Sequence, residues 1–286
     1  MNTDPRPQDA APRDEAPRPE APRNEARADR LAHYLLRAVN RAIREHGFLA
    51  EGDRVLVAVS GGKDSLTLLD LLHRRMRSAR EAYTLAAGHI VSDYGCGRAV
   101  SREWLGAWCA ERGIPLEVGA VQVAEELART GANPCFRCAW WRRKALFEIA
   151  ARLGCNVIAY GHHADDLAET ALMNLLYSAE FRGMDVRREF FGEFTVVRPL
   201  AYVAERDILP FVRASGYPLA GEPCPAGANT KRSVARALLA QAERAHRGAR
   251  RNILAALARA EAARPPEWHT VGEDIEAGHQ EEADRG

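Results

Sequence analysis

Hydrophobic and polar positions along the middle of the chain follow two alternating patterns. Between Leu31 and His46, apolar residues recur every three or four positions, as on a helix that buries one face, and Gly47 is typical of a helix end. Residues 54–59 (RVLVAV) form a continuous apolar run, which is typical of a strand buried on both faces of a parallel sheet. A helix is predicted directly after this run, over 64–77.

The same alternation continues toward the C-terminus. The segment with Cys135 and Cys138 is interpreted as a loop before a helix that ends at 153. Strands that alternate with helices predict an α/β fold with a doubly wound parallel sheet, in which ligands bind beyond the carboxyl ends of the strands. The further strands are predicted near 85–91, 116–118, 156–160 and 195–197, and the further helices near 100–112, 167–177 and from about 205.

Composition separates the two ends from this domain. Residues 11–25 read APRDE, APRPE and APRNE, and such a proline- and charge-rich tract cannot bury enough apolar surface to become ordered. The last twenty residues carry seven acidic side chains and one arginine, which indicates an acidic tail. The predicted division is an arm over 1–28, the α/β domain over 29–228, a basic helical segment over 229–264 and a tail over 265–286.

The net charge of +1 conceals a strongly basic segment. Residues 229–264 hold nine Lys or Arg and two Glu. Such a stripe suits a nucleic-acid backbone, and it would then predict weaker binding on neutralisation of Arg247, Arg250 and Arg251. A solvated helix face is the other interpretation, and charge alone leaves both open.

The remaining composition concerns the cellular compartment. No apolar run approaches the ~18 residues of a membrane helix, and the start lacks the apolar segment of a signal peptide. We therefore expect a cytoplasmic protein without a membrane partner. In that compartment, six cysteines favour metal binding or catalysis over disulfides.

A candidate phosphate loop, Ser60-Gly61-Gly62-Lys63-Asp64-Ser65, joins the first strand to its helix. Two glycines allow the backbone to approach an anion, and the helix start supplies unpaired N–H groups. Lys63 adds positive charge, and the serines add hydroxyl donors. Val57 stands where the Walker pattern needs its first glycine, so the loop belongs to another class.

A second motif, GHHADD over 161–166, ends one strand and opens the next helix. Carboxylates at a helix start are favoured by the helix dipole, so Asp165 and Asp166 are consistent with simple capping. Their place at the same sheet edge as the phosphate loop favours a role in the site. Whether His162 and His163 are structural or functional stays open.

The cysteines divide into two groups. Cys135 and Cys138 form a CxxC pair, which by itself is a zinc half-site, a redox pair or chance. Cys224 lies in GEPCP, and Cys96 lies in the loop after the second strand, on the same edge as the motifs. The other two, Cys109 and Cys155, are interpreted as small buried hydrophobic residues.

Taken together, these motifs resemble a known family. SGGKDS resembles the PP-loop of the N-type ATP pyrophosphatases. With the CxxC pair, GHHADD, the RPLAY…ERDI segment and GEPCP, the chain from Leu31 to Leu239 resembles the tRNA 2-thiocytidine synthetases. The resemblance implies an ATP-dependent tRNA sulfurtransferase that acts on cytidine 32 of the anticodon loop. The O2 atom of the base would attack the α-phosphate and release pyrophosphate, and sulfide would then displace AMP.

The resemblance also implies cofactors, partners and site residues. It implies ATP, Mg²⁺ and a 4Fe-4S cluster with one iron free to carry sulfide, and as partners tRNA, a sulfur donor (a cysteine desulfurase or free sulfide) and a second copy in a homodimer. Asp166 would be a catalytic carboxylate or a Mg²⁺ ligand. The implied residues are Ser60, Gly61, Gly62, Lys63, Asp64, Ser65 and Gly161 for ATP, Lys63, Arg142 and Asp166 for catalysis, and Cys135, Cys138 and Cys224 for the cluster.

Two tryptophans depart from the pattern of this family. Trp140 and Trp141 replace smaller residues after the CxxC pair, and they would either stack on unpaired bases or pack in the core.

A lysidine-type ligase or thiolation of another base remains an alternative, although a lysidine ligase has no use for three cysteines. A thiouridine synthetase of the sister type would carry zinc-ribbon cysteine pairs at both ends. A binding module without enzyme activity needs neither SGGKDS nor GHHADD.

Overall fold

The computed structural model describes residues 24–93, 99–130, 134–220 and 230–262, and for 127, 128, 130, 134, 135 and 261 it describes the backbone alone. Within these ranges, six strands form one sheet in the order β3-β2-β1-β4-β6-β5. All neighbouring pairs are parallel except β5 with β6. The strands are β1 Arg54–Ala58, β2 Thr84–Ser92, β3 Leu116–Val121, β4 Val157–Tyr160, β5 Arg187–Phe190 and β6 Phe194–Val197.

Helices cover both faces of this sheet, which confirms the predicted doubly wound α/β fold. None of the helices in the described ranges has the length and apolar character needed to cross a membrane. Those ranges contain α1 Glu25–His46, α2 Lys63–Arg75, α3 Arg102–Ala110, α4 Ala124–Thr130, α5 Pro134–Arg152, α6 Ala164–Ser178, α7 Glu205–Ser215, α8 Lys231–Ala245 and α9 Ala249–Ala262.

Strand β1 is buried on both faces, as its apolar run predicts. Val55 and Val57 belong to a core that α1, α2, α3 and α7 share with the sheet. Leu56 and Ala58 point the other way, into a second core formed with α5. Because successive side chains of a strand face opposite sides, one run of six residues serves both layers.

Helix α1 begins earlier than its apolar periodicity predicts. The Asn24 side chain accepts the N–H of Arg27 at 3.1 Å and so caps a helix that starts at Glu25. Ala28 is buried in the first core, although a search for large apolar residues passes over it. The predicted helix end is confirmed, since Gly47 adopts the left-handed conformation at φ 59°.

The predicted loop around the CxxC pair is wrong. Helix α5 begins at Pro134, so Cys135 and Cys138 both lie within the helix rather than before it. Proline suits the first helical position because its missing N–H has no partner there and its φ is already helical. Two short elements were also absent from the prediction: α4 and the antiparallel edge strand β5.

Candidate active site at the carboxyl edge of the sheet

The phosphate loop leads from β1 directly into α2. Gly61 has φ 83°, and a Cβ there would lie 2.9 Å from the Cβ of Ala99. Gly62, at the N-cap of α2, offers no side-chain hydrogen bond to the first turn. The first-turn amide groups therefore point into the site as donors for an anion, at the positive end of the helix dipole.

The Lys63 ammonium lies between two carboxylates. Its Nζ is 2.8 Å from Asp64 Oδ2 and 2.9 Å from Glu205 Oε1. Burial alone lowers the pKa of Lys63, but the two carboxylates outweigh it and raise the pKa above its ordinary value. Burial alone raises the pKa of Glu205, but the ion pair with Lys63 outweighs it and lowers the pKa below its ordinary value. The loop therefore carries a fixed positive charge at neutral pH.

Glu205 is a site residue to which the sequence analysis assigned no role. It is the first residue of α7, far from SGGKDS along the chain, and only the fold brings it to Lys63. The available signal is its place at the start of the ERDI segment, which follows RPLAY and forms the acidic first turn of α7.

Gly161 brings the second motif against the phosphate loop. A Cβ at this position would lie 2.9 Å from the backbone N of Ser65 and 3.0 Å from the carbonyl carbon of Asp64. Backbone atoms cannot yield as a flexible side chain does, so only glycine fits between the end of β4 and the start of α2. The carboxyl ends of β1 and β4 thereby meet in one site.

We expect Gly161→Ala to destabilise the fold by about 1–3 kcal/mol, the usual cost of forcing an extra methyl group into a packed position. Thermal unfolding of the two proteins measures the change. Gly106→Ala is the matched control, because a Cβ at Gly106 in α3 meets no atom within 4 Å. That variant should be neutral or slightly stabilised, and equal stability of both variants would contradict the close packing at Gly161.

Asp166 and His163 form a capping box at the start of α6. The N–H of His163 donates to Asp166 Oδ2 at 3.0 Å, and the N–H of Asp166 donates to His163 Nδ1 at 3.4 Å. The other carboxylate oxygen, Oδ1, is 3.5 Å from Arg232 Nη1 of α8. His163 is buried, and its Nε2 lies 3.8 Å from Asp64. The capping interpretation of Asp166 therefore holds, at a place directly beside the phosphate loop.

His162 is a neutral histidine with a defined tautomer. Arg198 Nε donates to His162 Nδ1 at 3.3 Å, so the ring proton must be on Nε2. Burial, helped by the charge of Arg198, lowers the pKa of His162 to about 4. Its ring stacks on Tyr160 with centroids 5.7 Å apart. His162 is therefore a hydrogen-bond donor rather than a base at neutral pH.

The CxxC helix begins beside the neighbouring strand, β2. Cys138 is buried, and its Sγ is 3.9 Å from the Oγ of Ser92, the last residue of β2. Cys135 occupies a helical position three residues earlier, with its side chain outside the description. Cys96 and Cys224 lie outside the described residues. No group of three or more His, Cys, Asp or Glu residues suited to a metal ion occurs in the part of the chain that is described.

Arg142 lies one helical turn after Cys138. Its Nη2 donates to the carbonyl oxygen of Ile90 in β2 at 3.4 Å, which places the guanidinium near the same sheet edge. The structure thus brings together the phosphate loop after β1, GHHADD after β4, and Cys138 with Arg142 beside β2.

Comparisons with known proteins agree with this arrangement. A family model described as a PP-loop domain matches residues 31–243. The tRNA-cytidine(32) 2-sulfurtransferase of Geobacter sulfurreducens is 37% identical over 226 residues, which cover 77% of this chain and 87% of that protein. The chain belongs to the tRNA-cytidine(32) 2-sulfurtransferase family. A relative of the same name from Geotalea uraniireducens is 35% identical and covers 80% of this chain and 92% of its own length.

A solved structure gives independent support for the fold of this 2-sulfurtransferase family member. It is described as the U34-tRNA thiolase NcsA from Methanococcus maripaludis with its [4Fe-4S] cluster. The TM-score is 0.67 at 22% sequence identity, over 83% of this chain and 81% of that one. The likeness shows that the two chains share the PP-loop fold.

The lysine and arginine side chains of the basic segment, α8 to α9, are of two kinds. Three arginines pair with carboxylates at the start of α6: Arg232 with Asp166, Arg236 with Glu169 at 2.7 Å and 3.1 Å, and Arg250 with Asp165 at 3.0 Å. Arg250 is therefore not the free surface cation that the charge pattern predicts. The other described cations of these helices and of the turn between them are exposed: Lys231, Arg244, Arg247, Arg251 and Arg259.

The two tryptophans after the CxxC pair stay on α5. Trp141 packs against the second core and donates its indole N–H to Glu126 Oε2 at 2.6 Å. Trp140 contacts it edge-on, with ring centroids 4.7 Å apart. Trp141 therefore follows the core-packing interpretation, one of the two that the sequence left open.

Proposed function

We propose that this chain is an ATP-dependent tRNA sulfurtransferase that forms 2-thiocytidine at cytidine 32 of the anticodon loop, with AMP and pyrophosphate as the other products. One observation carries the proposal: the phosphate loop follows β1, and Cys138 lies beside the last residue of the adjacent parallel strand β2. A base held between them would reach both an activating phosphate and a sulfur source. The family membership supplies the substrate.

The residues of the phosphate loop fit ATP as a substrate. Cytidine O2 would attack the α-phosphate and expel pyrophosphate, which turns a poor leaving group on C2 into AMP. The uncapped amides of α2 and the Lys63 ammonium would donate to the charge that develops on pyrophosphate. Ser60 and Ser65 would join them as ATP contacts by exchanging their hydrogen bonds within the loop for bonds to phosphate. Gly161 allows the end of β4 to pack directly against this loop.

For Mg²⁺, which prefers carboxylate oxygens, the chain offers Asp166. Asp64 and Glu205 already pair with the ammonium of Lys63, so substrate phosphates and water would complete the coordination of the ion. A magnesium ion bound at Asp166 would neutralise charge on the departing pyrophosphate. Asp166 would act from the start of α6, where it also fixes His163.

Cys135, Cys138 and Cys224 would hold a 4Fe-4S cluster. Cys138 fits such a ligand, because cysteine thiolates are the usual ligands of iron–sulfur clusters and this thiol lies at the sheet edge beside the end of β2. With three protein ligands, such a cluster would leave one iron open to bind and deliver sulfide. Arg142, one turn further along α5, would place a positive charge beside the reacting base.

The tRNA would lie across the exposed arginines of α8 and α9, with Arg244, Arg247 and Arg251 as phosphate contacts. We also propose that a cysteine desulfurase or free sulfide supplies the sulfur, and that two copies of the chain form a homodimer.

Replacing Arg244, Arg247 and Arg251 together by Gln should weaken tRNA binding. It should also reduce the slope of log affinity against log salt concentration by about one unit per lost contact. The matched control is the triple Gln variant of Arg30, Arg37 and Arg44, which are equally charged and exposed on α1. Filter binding over a salt series compares them. Equal slopes for the two triple variants would show that Arg244, Arg247 and Arg251 only face solvent and do not contact tRNA.

The function is tested in a strain that lacks the gene. Hydrolysed tRNA from that strain should contain no 2-thiocytidine, and expression of this chain should restore it, as measured by mass spectrometry of nucleosides. Restoration of a different modified nucleoside, or of none, would contradict the proposal.

A further inference from the structure

Arg250, in the first turn of α9, contacts the buried carboxylate of the GHHADD motif. Its Nε is 3.0 Å from Asp165 Oδ1, and the Asp165 side chain is 5% exposed. The Nε–H makes no hydrogen bond, so the contact is an ion pair held by charge and burial. Helix α9 lies beyond residues 31–243, the segment that the PP-loop family model matches.

Asp165 is also the cap of α7. Ala204, at the N-cap of α7, makes no side-chain capping hydrogen bond. The other oxygen of Asp165, Oδ2, instead accepts the N–H of Glu205 at 2.7 Å. The N–H of Ala164 donates to the carbonyl of Val203 at 2.9 Å, which joins the start of α6 to the turn before α7 a second time.

The side chain of the same Glu205 holds Lys63, with Oε1 2.9 Å from Nζ. A continuous series of contacts therefore runs from α9 to the phosphate loop: Arg250 to Asp165, Asp165 to the backbone of Glu205, and Glu205 to Lys63. Without Arg250, the buried Asp165 would lose its 3.0 Å ion-pair partner and keep only the longer 3.8 Å contact with His163, a state that favours rotation of the carboxylate toward water. Such a rotation loosens the start of α7 and with it the position of Lys63.

We propose that Arg250 is a positioning residue of the ATP site, which acts through Asp165 and Glu205 on Lys63. The inference rests on the proposed use of ATP at the phosphate loop. It assigns α9 a role inside the catalytic domain, whereas the exposed arginines of the same helix face outward. Helix α8 has its own anchor in the paired contact of Arg236 with the buried Glu169, so the loss of Arg250 leaves α8 attached.

The test is the ATP affinity of the full-length protein, measured by titration calorimetry with Mg²⁺ and without tRNA. Arg250→Gln should weaken ATP binding about tenfold, within the range of couplings between connected sites. Arg259→Gln is the matched control from the same helix, since Arg259 is exposed and outside this series of contacts. Its ATP affinity should equal that of the unchanged protein.

A second variant separates positioning from general loss of structure. In Asp165→Asn combined with Arg250→Gln, the amide oxygen of asparagine still accepts the N–H of Glu205 and needs no cation. This double variant should recover ATP affinity to within about threefold of the unchanged protein. If Arg250→Gln alone unfolds, the ATP affinity of the double variant still tests the proposal.

The outcomes distinguish the two claims. If the unchanged protein binds no ATP, the proposed function fails, and the inference fails with it. If the unchanged protein binds ATP and Arg250→Gln binds it equally well, the inference alone is overturned. It is also overturned if the double variant shows no recovery, because the defect would then not pass through the charge of Asp165.

Discussion

Lys63→Ala should reduce 2-thiocytidine formation by about 10²–10³-fold, the effect of removing one preorganised donor from a site of developing charge. The ammonium is the one group of the phosphate loop that lies between two carboxylates and stays charged through its raised pKa. Without it, Asp64 and Glu205 face each other and the phosphates with no cation between them. The measurement is the initial rate of thiolation of a tRNA transcript with saturating ATP.

Iron content and thermal unfolding are the controls for this variant. Both should match the unchanged protein, because Lys63 lies in the first turn of α2 and not on the cysteine-bearing helix α5. A variant that thiolates at a near-normal rate would overturn the assignment of the loop to ATP. A variant that loses iron as well would show that the two parts of the site depend on each other for folding.

The second large effect concerns the cysteines. Replacing Cys135, Cys138 or Cys224 by Ala should abolish both iron binding and thiolation, because a cluster with two remaining ligands is not retained. Sulfur delivery needs one iron without a protein ligand, so no fourth cysteine is expected to bind. The measurement is iron and sulfide analysis of the anaerobically purified variants.

Cys96→Ala is the matched control for this set. Cys96 follows β2 along the chain and is the cysteine that competes for a place at the same sheet edge. This variant should keep its iron and its activity. Loss of the cluster in Cys96→Ala would indicate four protein ligands, and the open-iron mechanism would then be wrong even for a PP-loop enzyme.

The sequence predicted those parts of the site whose residue types are dictated by local chemistry. A loop that binds phosphate needs glycines after a strand and a cation at a helix start, and SGGKDS shows all of these within six residues. The role of Glu205 was not predicted, although the residue begins the ERDI segment, because its contact with Lys63 depends on α7 meeting α2 across the sheet edge. Without the fold, it is an ordinary acidic residue in a first helical turn.

The basic helices show the same limit. Charge counting treats Arg250 and Arg251 alike, although one of these neighbours pairs with a carboxylate and the other is exposed. The helical rotation between successive residues turns Arg250 toward Asp165 and leaves Arg251 exposed. The partner of each arginine is fixed by the docking of α9 on α6, which no single-residue property reveals.

The position of the new sulfur atom tests the central claim most directly. The purified protein, with its iron intact, is incubated with ATP, Mg²⁺, sulfide and a tRNA transcript, and the product is mapped by nuclease digestion and mass spectrometry. We predict 2-thiocytidine at position 32, with one AMP and one pyrophosphate formed for each sulfur transferred, and no product from a transcript with uridine at that position. Thiolation elsewhere, or sulfur transfer without pyrophosphate release, would contradict the account.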